Sequence, residues 1–414
     1  MTSSSGTSKT RYSNFTVVWS SQTTAAILIF TVPALAPLLV AKDALTATQI
    51  GALTSIMYVG ICGVSVFISV ISDSLGVKRI LIAGHVIEAV SVISASVAHN
   101  FAGFAISIFG VGIGYSSITP VTSKAIMSWF SKENRSATMG LKQTGTTVGG
   151  TIAGAALPLI GVTYGLGAAF IAAGLLVLSG AGIVLAYRES DQFTGTTKIS
   201  MAFLRRGVSI SRKNRNLLWL GGVGFFYAAV QAVVVTYITL FSHSVLGFTP
   251  VIAGLFLSLV NISGTVGRPV YGAVSDRIFK GSRIKDLYLI SLTSFVMLLL
   301  LSELRSTTDI WVVVPVMALL GFGALGWNGV FLTLAGEYSD SGYEGVGTSL
   351  SFSIAMTGQI VGAPIYGMII QTTGSYFLGW QVFAIALILA ATIFAVVRRN
   401  YDPGKIPQLV ARGD

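Results

Sequence analysis

Phe377–Val397 reads FLGWQVFAIALILAATIFAVV, 21 residues without a charged side chain. A helix of that length rises about 31 Å at 1.5 Å per residue, enough to cross the ~30 Å hydrocarbon layer of a bilayer. No water is available in that layer to pair a backbone N–H or C=O, so such a run must satisfy its own groups as a helix. Upstream the pattern recurs. Apolar runs predict spans near 17–41, 47–71, 80–98, 102–125, 135–160, 165–187, 216–241, 250–275, 286–302, 310–335 and 345–370, which with 377–397 makes twelve. The whole chain agrees: of 414 residues, 53% are hydrophobic and 10% charged, and mean hydropathy is +0.79. A soluble domain carries about 25% charged residues. The expected fold class is an all-α polytopic membrane protein with the lipid bilayer as its solvent. Residues 1–14 are Ser/Thr-rich, and the apolar run after them is too long for a signal-peptide core, so it reads as a retained first span.

The net charge of +11 would suggest nucleic acid in a soluble protein. Here the cations sit in short loops, and they set orientation instead. Lys9, Arg11, Lys78, Arg79, Lys132, Arg135, the 188–215 loop and the tail beyond Arg398 fall on one side; Lys42 and Arg305 fall on the other. The positive-inside rule then puts both termini in the cytoplasm of a cell-membrane protein. Trp19, Trp129, Trp219, Trp311 and Trp380 lie near predicted span ends, where indoles favour the interface.

Two internal echoes divide the chain. Ser72-Asp73 closes span two and Ser275-Asp276 closes span eight, 203 residues later; Gly150-x-x-x-Gly154 is matched 208 residues on by Gly358-x-x-x-Gly362. The expected organisation is twelve transmembrane helices in two six-helix pseudo-symmetric halves, 1–187 and 216–414, joined by a cytoplasmic linker at 188–215. Such repeats place a substrate near the midplane between the halves.

Ser69-Val-Ile-Ser-Asp73-Ser-Leu-Gly76-Val-Lys78-Arg79 resembles the loop between spans two and three of the major facilitator superfamily, Gly-x-x-x-Asp-Arg-x-Gly-Arg-Lys. Asp73, Gly76, Lys78 and Arg79 match; Ser69, Ser74 and Val77 do not. Gly272-Ala-Val-Ser-Asp276-Arg277 is the second-half counterpart. The resemblance implies that Asp73, Lys78, Arg79, Asp276 and Arg277 form a gate, the acids pairing with basic residues or helix ends across the halves. The family's span-four Arg, associated with proton coupling in many members, is Ile108 here.

Lys124, Lys142 and Arg268 are cations within spans. A charge at mid-bilayer costs roughly 2.5–3.5 kcal/mol on insertion scales, so it normally faces a cavity or a partner. Lys124 lies near a span end and can snorkel. Lys142 stands about 10 Å inside Arg135, and Arg268 about 12 Å inside Asp276, on helical rise. Matched depth in opposite halves suggests a clamp for an anion, with Arg offering a fork and Lys a point charge. Arg268-Pro269 resembles the span-eight Arg of the oxalate/formate exchangers and monocarboxylate transporters. The span-eleven Lys of the former and the span-one Lys of the latter are absent. The bland reading has Arg268 capping span carbonyls.

Glu88, about 13 Å deep, is the acid well inside a span, and His85 shares its helix face. Both are candidates for proton coupling, or for a hydrogen-bonded role within their own half. Trp327 and Asn328 fall at mid-depth in span ten and could orient a ligand; Tyr115, Gln143, Asn261 and Gln231 are further candidates at that depth. Gly140, Gly145, Gly149, Gly150 and Gly154 are expected to let helices approach closely.

No ATP-binding motif, metal cluster or nucleophile–base pair is present, and the lone Cys62 excludes an internal disulfide. The chain therefore reads as a transporter without cofactors, not an enzyme, and is expected to act as a monomer. The leading expectation is secondary transport of a small organic anion, a monocarboxylate first, driven by protons or by exchange with a counter-substrate. The alternative is proton-driven efflux of a neutral drug-like or sugar-like compound; Thr147-Val148 stand before Gly149-Gly150 where antiporters have Gly-Pro.

Overall fold

The structure is a computed structural model that describes residues 4–43, 45–130, 132–189 and 201–397. Its regular elements are all helices, with no strand among the described residues. Among the described residues, twelve helical spans are long and apolar enough to cross a membrane, so the chain is a multi-pass membrane protein. Span one is α1 and α2 (Ser4–Ile29, Thr31–Asp43), spans two and three are α3 (Ala47–Leu75) and α4 (Val77–Ser94), and span four is α5 and α6 (Phe101–Tyr115, Ile118–Trp129). Spans five and six are α7 (Lys132–Thr163) and α8 (Leu166–Val184). The last six spans are α10 (Arg215–Ser244), α11 (Pro250–Arg277), α12 (Arg283–Glu303), α13 with α14 (Ile310–Gly326, Asn328–Tyr338), α15 (Glu344–Thr373) and α16 (Tyr376–Val397).

Local chemistry sets the ends. Thr46 and Gln49 form a reciprocal capping box on α3, and Asn100, Asn214, Thr249 and Asp309 cap α5, α10, α11 and α13 with their side chains. Spans one and four break beside prolines. Pro33 and Pro120 carry no N–H for the carbonyls of Ile29 and Ser116, and the helices part at those turns. The span-ten break, at Trp327, has no proline.

The 188–215 segment, expected as a loop, holds a further helix, α9 (Met201–Lys213), within its described part. Its small residue Gly207 lies against the ring of Tyr343, and Ser211 is buried, while Arg205, Arg206, Arg212 and Lys213 point outward. A one-sided apolar face, not composition, makes it helical. Trp380 also departs from expectation. It is fully buried, packed on Tyr366 and Phe241, and is a core residue rather than an interfacial one.

The seam between the first and last six spans is closed at the end away from the termini, and prolines prepare it. Pro37 leaves the Pro33 carbonyl without its helical donor, and Thr239 of α10 donates its hydroxyl there. Pro364 likewise frees the Ile360 carbonyl, which accepts from Ser55 of α3. Pro158 frees the Gly154 carbonyl, and Gly254 of α11 packs so near that a Cβ on it would stand 2.3 Å from that oxygen. Tyr237 adds a hydroxyl 2.8 Å from the carbonyls of both Ala47 and Ala363. A carbonyl stranded by proline at this depth needs a partner, because water is absent. Here the opposite half supplies a hydroxyl to the Pro33 and Ile360 carbonyls.

The predicted glycine contacts are mostly present: Gly145 and Gly149 lie on span one, and Gly150 and Gly154 on span eight. Gly140 differs. A side chain there would meet open space.

Candidate functional site

Midway along the seam, α7 and α11 carry the two predicted cations. Lys142 is 1% exposed, and its ammonium donates to Ser123 at 2.9 Å and Thr122 at 3.3 Å. Thr122 in turn lies 3.2 Å from the Gln22 amide oxygen. Gln22, from span one, donates through Nε2 to the Tyr115 hydroxyl at 3.0 Å and to Thr146 at 3.1 Å. Lys142 and Tyr115 therefore belong to one polar network, joined by Gln22.

Arg268 stands across the seam. Its Nη1 donates to the backbone carbonyl of Gln143 at 2.9 Å and its Nε to that of Leu325 at 3.3 Å. Leu325 lies in the last turn of α13, where the break in span ten strands carbonyls and the helix dipole favours a cation. Arg268 thus does cap span carbonyls, as the bland reading had it. It also reaches the residue next to Lys142. Two of its five N–H groups are engaged this way, and the rest of the fork is free of these contacts. Among the described side chains, no carboxylate pairs with Lys142 or Arg268. The Gln143 amide oxygen is buried with no hydrogen-bond partner.

Glu88 and His85 sit behind this network. Glu88 is fully buried and neither carboxyl oxygen has a hydrogen-bond partner. Its Cγ lies 2.6 Å from where a Cβ on Gly114 would stand, so the acid fits only because that residue is glycine. Tyr115, the next residue, places Glu88 beside the Gln22 network. His85 is also fully buried, with Nδ1 2.8 Å from the Leu81 carbonyl and Nε2 facing the hydroxyls of Thr24 and Ser21 at 3.3 and 3.5 Å.

Other candidates are placed differently. Trp327, expected to line a ligand pocket, is fully buried: it stacks on Tyr227 with centroids 5.5 Å apart, packs edge-on to Phe331, and donates Nε1 to Gln231 at 2.9 Å. It is closed to a ligand in this conformation. Asn328 is half-buried and donates to the same Gln231 oxygen at 3.4 Å. Asn261 is fully buried against Gly150, its amide donating to the Leu257 carbonyl. It fills the α7–α11 contact and does not face open space.

The gate is also reassigned. Asp276 pairs with Arg283 at 2.5 Å, and Arg283 reaches Glu337 at 3.4 Å, so this ion pair lies within the last six spans and not across the halves. Lys78 turns to its own side as well, its backbone N–H donating to Glu189 and its ammonium to the Leu185 carbonyl. Arg79 and Arg277 are exposed. The Asp73 side chain lies outside the described residues.

Sequence reasoning missed Gln22, Thr122, Ser123 and Asp286. Asp286 is fully buried and its carboxylate has no hydrogen-bond partner; in sequence it stands at a predicted span edge, where a charge looks ordinary. The signal for Gln22 was the run Ser20-Ser21-Gln22-Thr23-Thr24, five polar residues within a span.

Comparison with known proteins supplies the family. The model of the Major Facilitator Superfamily matches residues 18–363. The chain is 24% identical over 369 residues to a probable sulfoacetate transporter of Cupriavidus necator, with 84% of each protein covered. It is 27% identical over 279 residues to a membrane sensor protein of Salmonella typhimurium, covering 60% of this chain and 61% of that one. Among solved structures, a bacterial homologue of the human lysosomal transporter Spinster superposes with a TM-score of 0.74 at 16% identity, covering 94% of this chain and 96% of the other. With twelve spans and this family match over most of its length, the chain belongs to the Major Facilitator Superfamily, whose members are transporters and not enzymes.

Proposed function

We propose that the chain is a secondary active transporter of a small organic anion, a monocarboxylate or an anion of similar size, held between Arg268 and Lys142. One observation carries the reading: Arg268 reaches across the seam to the backbone of the residue next to Lys142, and no described carboxylate neutralises either cation. An anion binding there compensates both at once, the Arg fork taking two oxygens and the Lys a third contact. The sulfoacetate named for one relative is an organic anion, which agrees with this chemistry. Glu88 serves as the proton carrier, since an unpartnered carboxyl in an apolar setting is held more cheaply neutral than charged. The halves 1–187 and 216–414 rock about the site, with termini and the 188–215 segment cytoplasmic, in a monomer of the cell membrane.

The test is a panel of carboxylates, sulfonates and neutral sugars, screened by thermal shift on purified protein and by counterflow in proteoliposomes. Stabilisation and counterflow by an anion are expected. Response to neutral compounds alone would replace the reading with neutral-compound efflux. Anion binding without any counterflow would point to a sensor, as the Salmonella relative is named.

A further inference from the structure

An apolar groove lies on the outer face of the last six spans. It runs between α10 and α16 with a volume of about 350 Å³, lined by Trp219, Gly222, Val223, Phe226, Leu389 and Ile393 among others, nearly all of it carbon. Arg215, Trp219, Gly222 and Phe226 are spaced i, i+4, i+7 and i+11, so they form one stripe on α10. The stripe runs from an exposed cation through an interfacial indole to a half-buried ring. From Trp219 to Phe226 it extends about 10 Å at 1.5 Å per residue. Gly222 leaves the groove open: a Cβ there meets nothing within 4 Å.

Charge collects in the chain just before this stripe. Arg212 and Lys213 end α9, Arg215 begins α10, and all three are exposed. None pairs with an acid among the described residues. α9 is held by Gly207 against Tyr343 and Val346 with its basic face outward.

We propose that this groove binds one anionic phospholipid of the leaflet on the side of the termini. An acyl chain lies along Trp219, Gly222 and Phe226, and the phosphate rests on Arg215 with Arg212 and Lys213. The occupant follows from complementarity of both ends. The slot is apolar where the bilayer is apolar, and basic where headgroups sit; a zwitterionic lipid would satisfy the slot and leave the cations unmatched.

The test uses the full chain in nanodiscs of phosphatidylcholine doped with acyl-brominated phosphatidylglycerol or acyl-brominated phosphatidylcholine. Quenching of Trp219 is obtained as the difference between the parent and Trp219→Phe. Brominated phosphatidylglycerol is expected to quench that component at a lower mole fraction than brominated phosphatidylcholine. Arg215→Gln should reduce the preference about fivefold, the share of one basic side chain near a membrane surface. Gly222→Leu, whose side chain enters open space, should protect Trp219 from both lipids while the protein stays folded. Equal quenching by the two headgroups in the parent, or a preference that survives Arg215→Gln, overturns the proposal. None of these readouts involves transport, so they stand or fall apart from the anion reading.

Discussion

At one depth in the bilayer the two halves present different chemistry. The first six spans bring together an amide, hydroxyls and an ammonium, in Gln22, Tyr115, Thr122, Ser123 and Lys142. The last six bring together rings: Trp327 on Tyr227, with Phe331 and Phe352 around them. Arg268 is the exception on that side, and it reaches over to the first half. The polar half has adaptable hydrogen bonds that an anion or proton can rearrange. The aromatic half is a rigid wall, because close-packed rings have few alternative arrangements. In our reading the first half does the charge work and the second supplies a firm surface with one guanidinium.

Arg268→Lys should therefore have the largest effect. The substitution keeps the charge but loses the planar fork and the simultaneous grip on Gln143 and Leu325. Losing one or two charge-assisted bonds of about 1.5–3 kcal/mol each should weaken anion binding roughly 10- to 100-fold or more. Titration of purified protein at fixed ionic strength measures it. Lys142→Gln should cost about tenfold, and the double variant less than the product of the two, since both side chains serve one ligand. Parental affinity in both single variants would remove the anion site.

Glu88→Gln probes the polar half alone. It preserves shape under Gly114 and removes the titrating group. Uptake driven by a proton gradient should fall sharply, while exchange of substrate for substrate continues; the pH profile of uptake in proteoliposomes reads the difference. An unchanged profile would make Glu88 a structural residue of the first half. Trp327→Phe is the matching probe of the aromatic half. It removes the shorter of two hydrogen bonds to the Gln231 oxygen and leaves the one from Asn328, at a cost of about 1 kcal/mol in stability, with anion affinity nearly unchanged. A large affinity loss would show that the wall opens to ligand in another state.

How much of this was legible depended on the range of the interaction. Span number and type follow from composition, since apolar runs of bilayer length have one outcome in lipid. Glu88 was legible as a solitary acid in a span. Trp327 was misread because indole beside Asn328 looks like a polar site until Tyr227, far away in sequence, is known to cover its face. Asp276 was assigned a partner across the halves, and the structure gives it Arg283, seven residues on, because a short turn brings the two together. Arg268 was half read: depth identified it, but the Leu325 carbonyl it caps exists only because span ten breaks, and no proline announces that break.

The smallest expected effect concerns the closed end of the seam, where the two halves are alike in lending hydroxyls and carbonyls to each other. Thr239 donates to the carbonyl that Pro37 strands, and Ser55 to the one that Pro364 strands. These bonds exist only while that end is shut, so removing one must shift the balance toward the state in which it is open. Thr239→Val is nearly isosteric and takes away one neutral hydrogen bond, worth about 1 kcal/mol, or roughly a fivefold change in the ratio of states. Because the stranded carbonyl can find water once the end opens, the loss falls on the closed state alone. Cysteine accessibility at a reporter placed near residue 245, beyond the end of α10, should rise by about that factor. Anion affinity at a site that both states share should change less. No rise in accessibility in either Thr239→Val or Ser55→Ala would mean that helix packing through Gly154 and Gly254 closes this end without help from the hydroxyls.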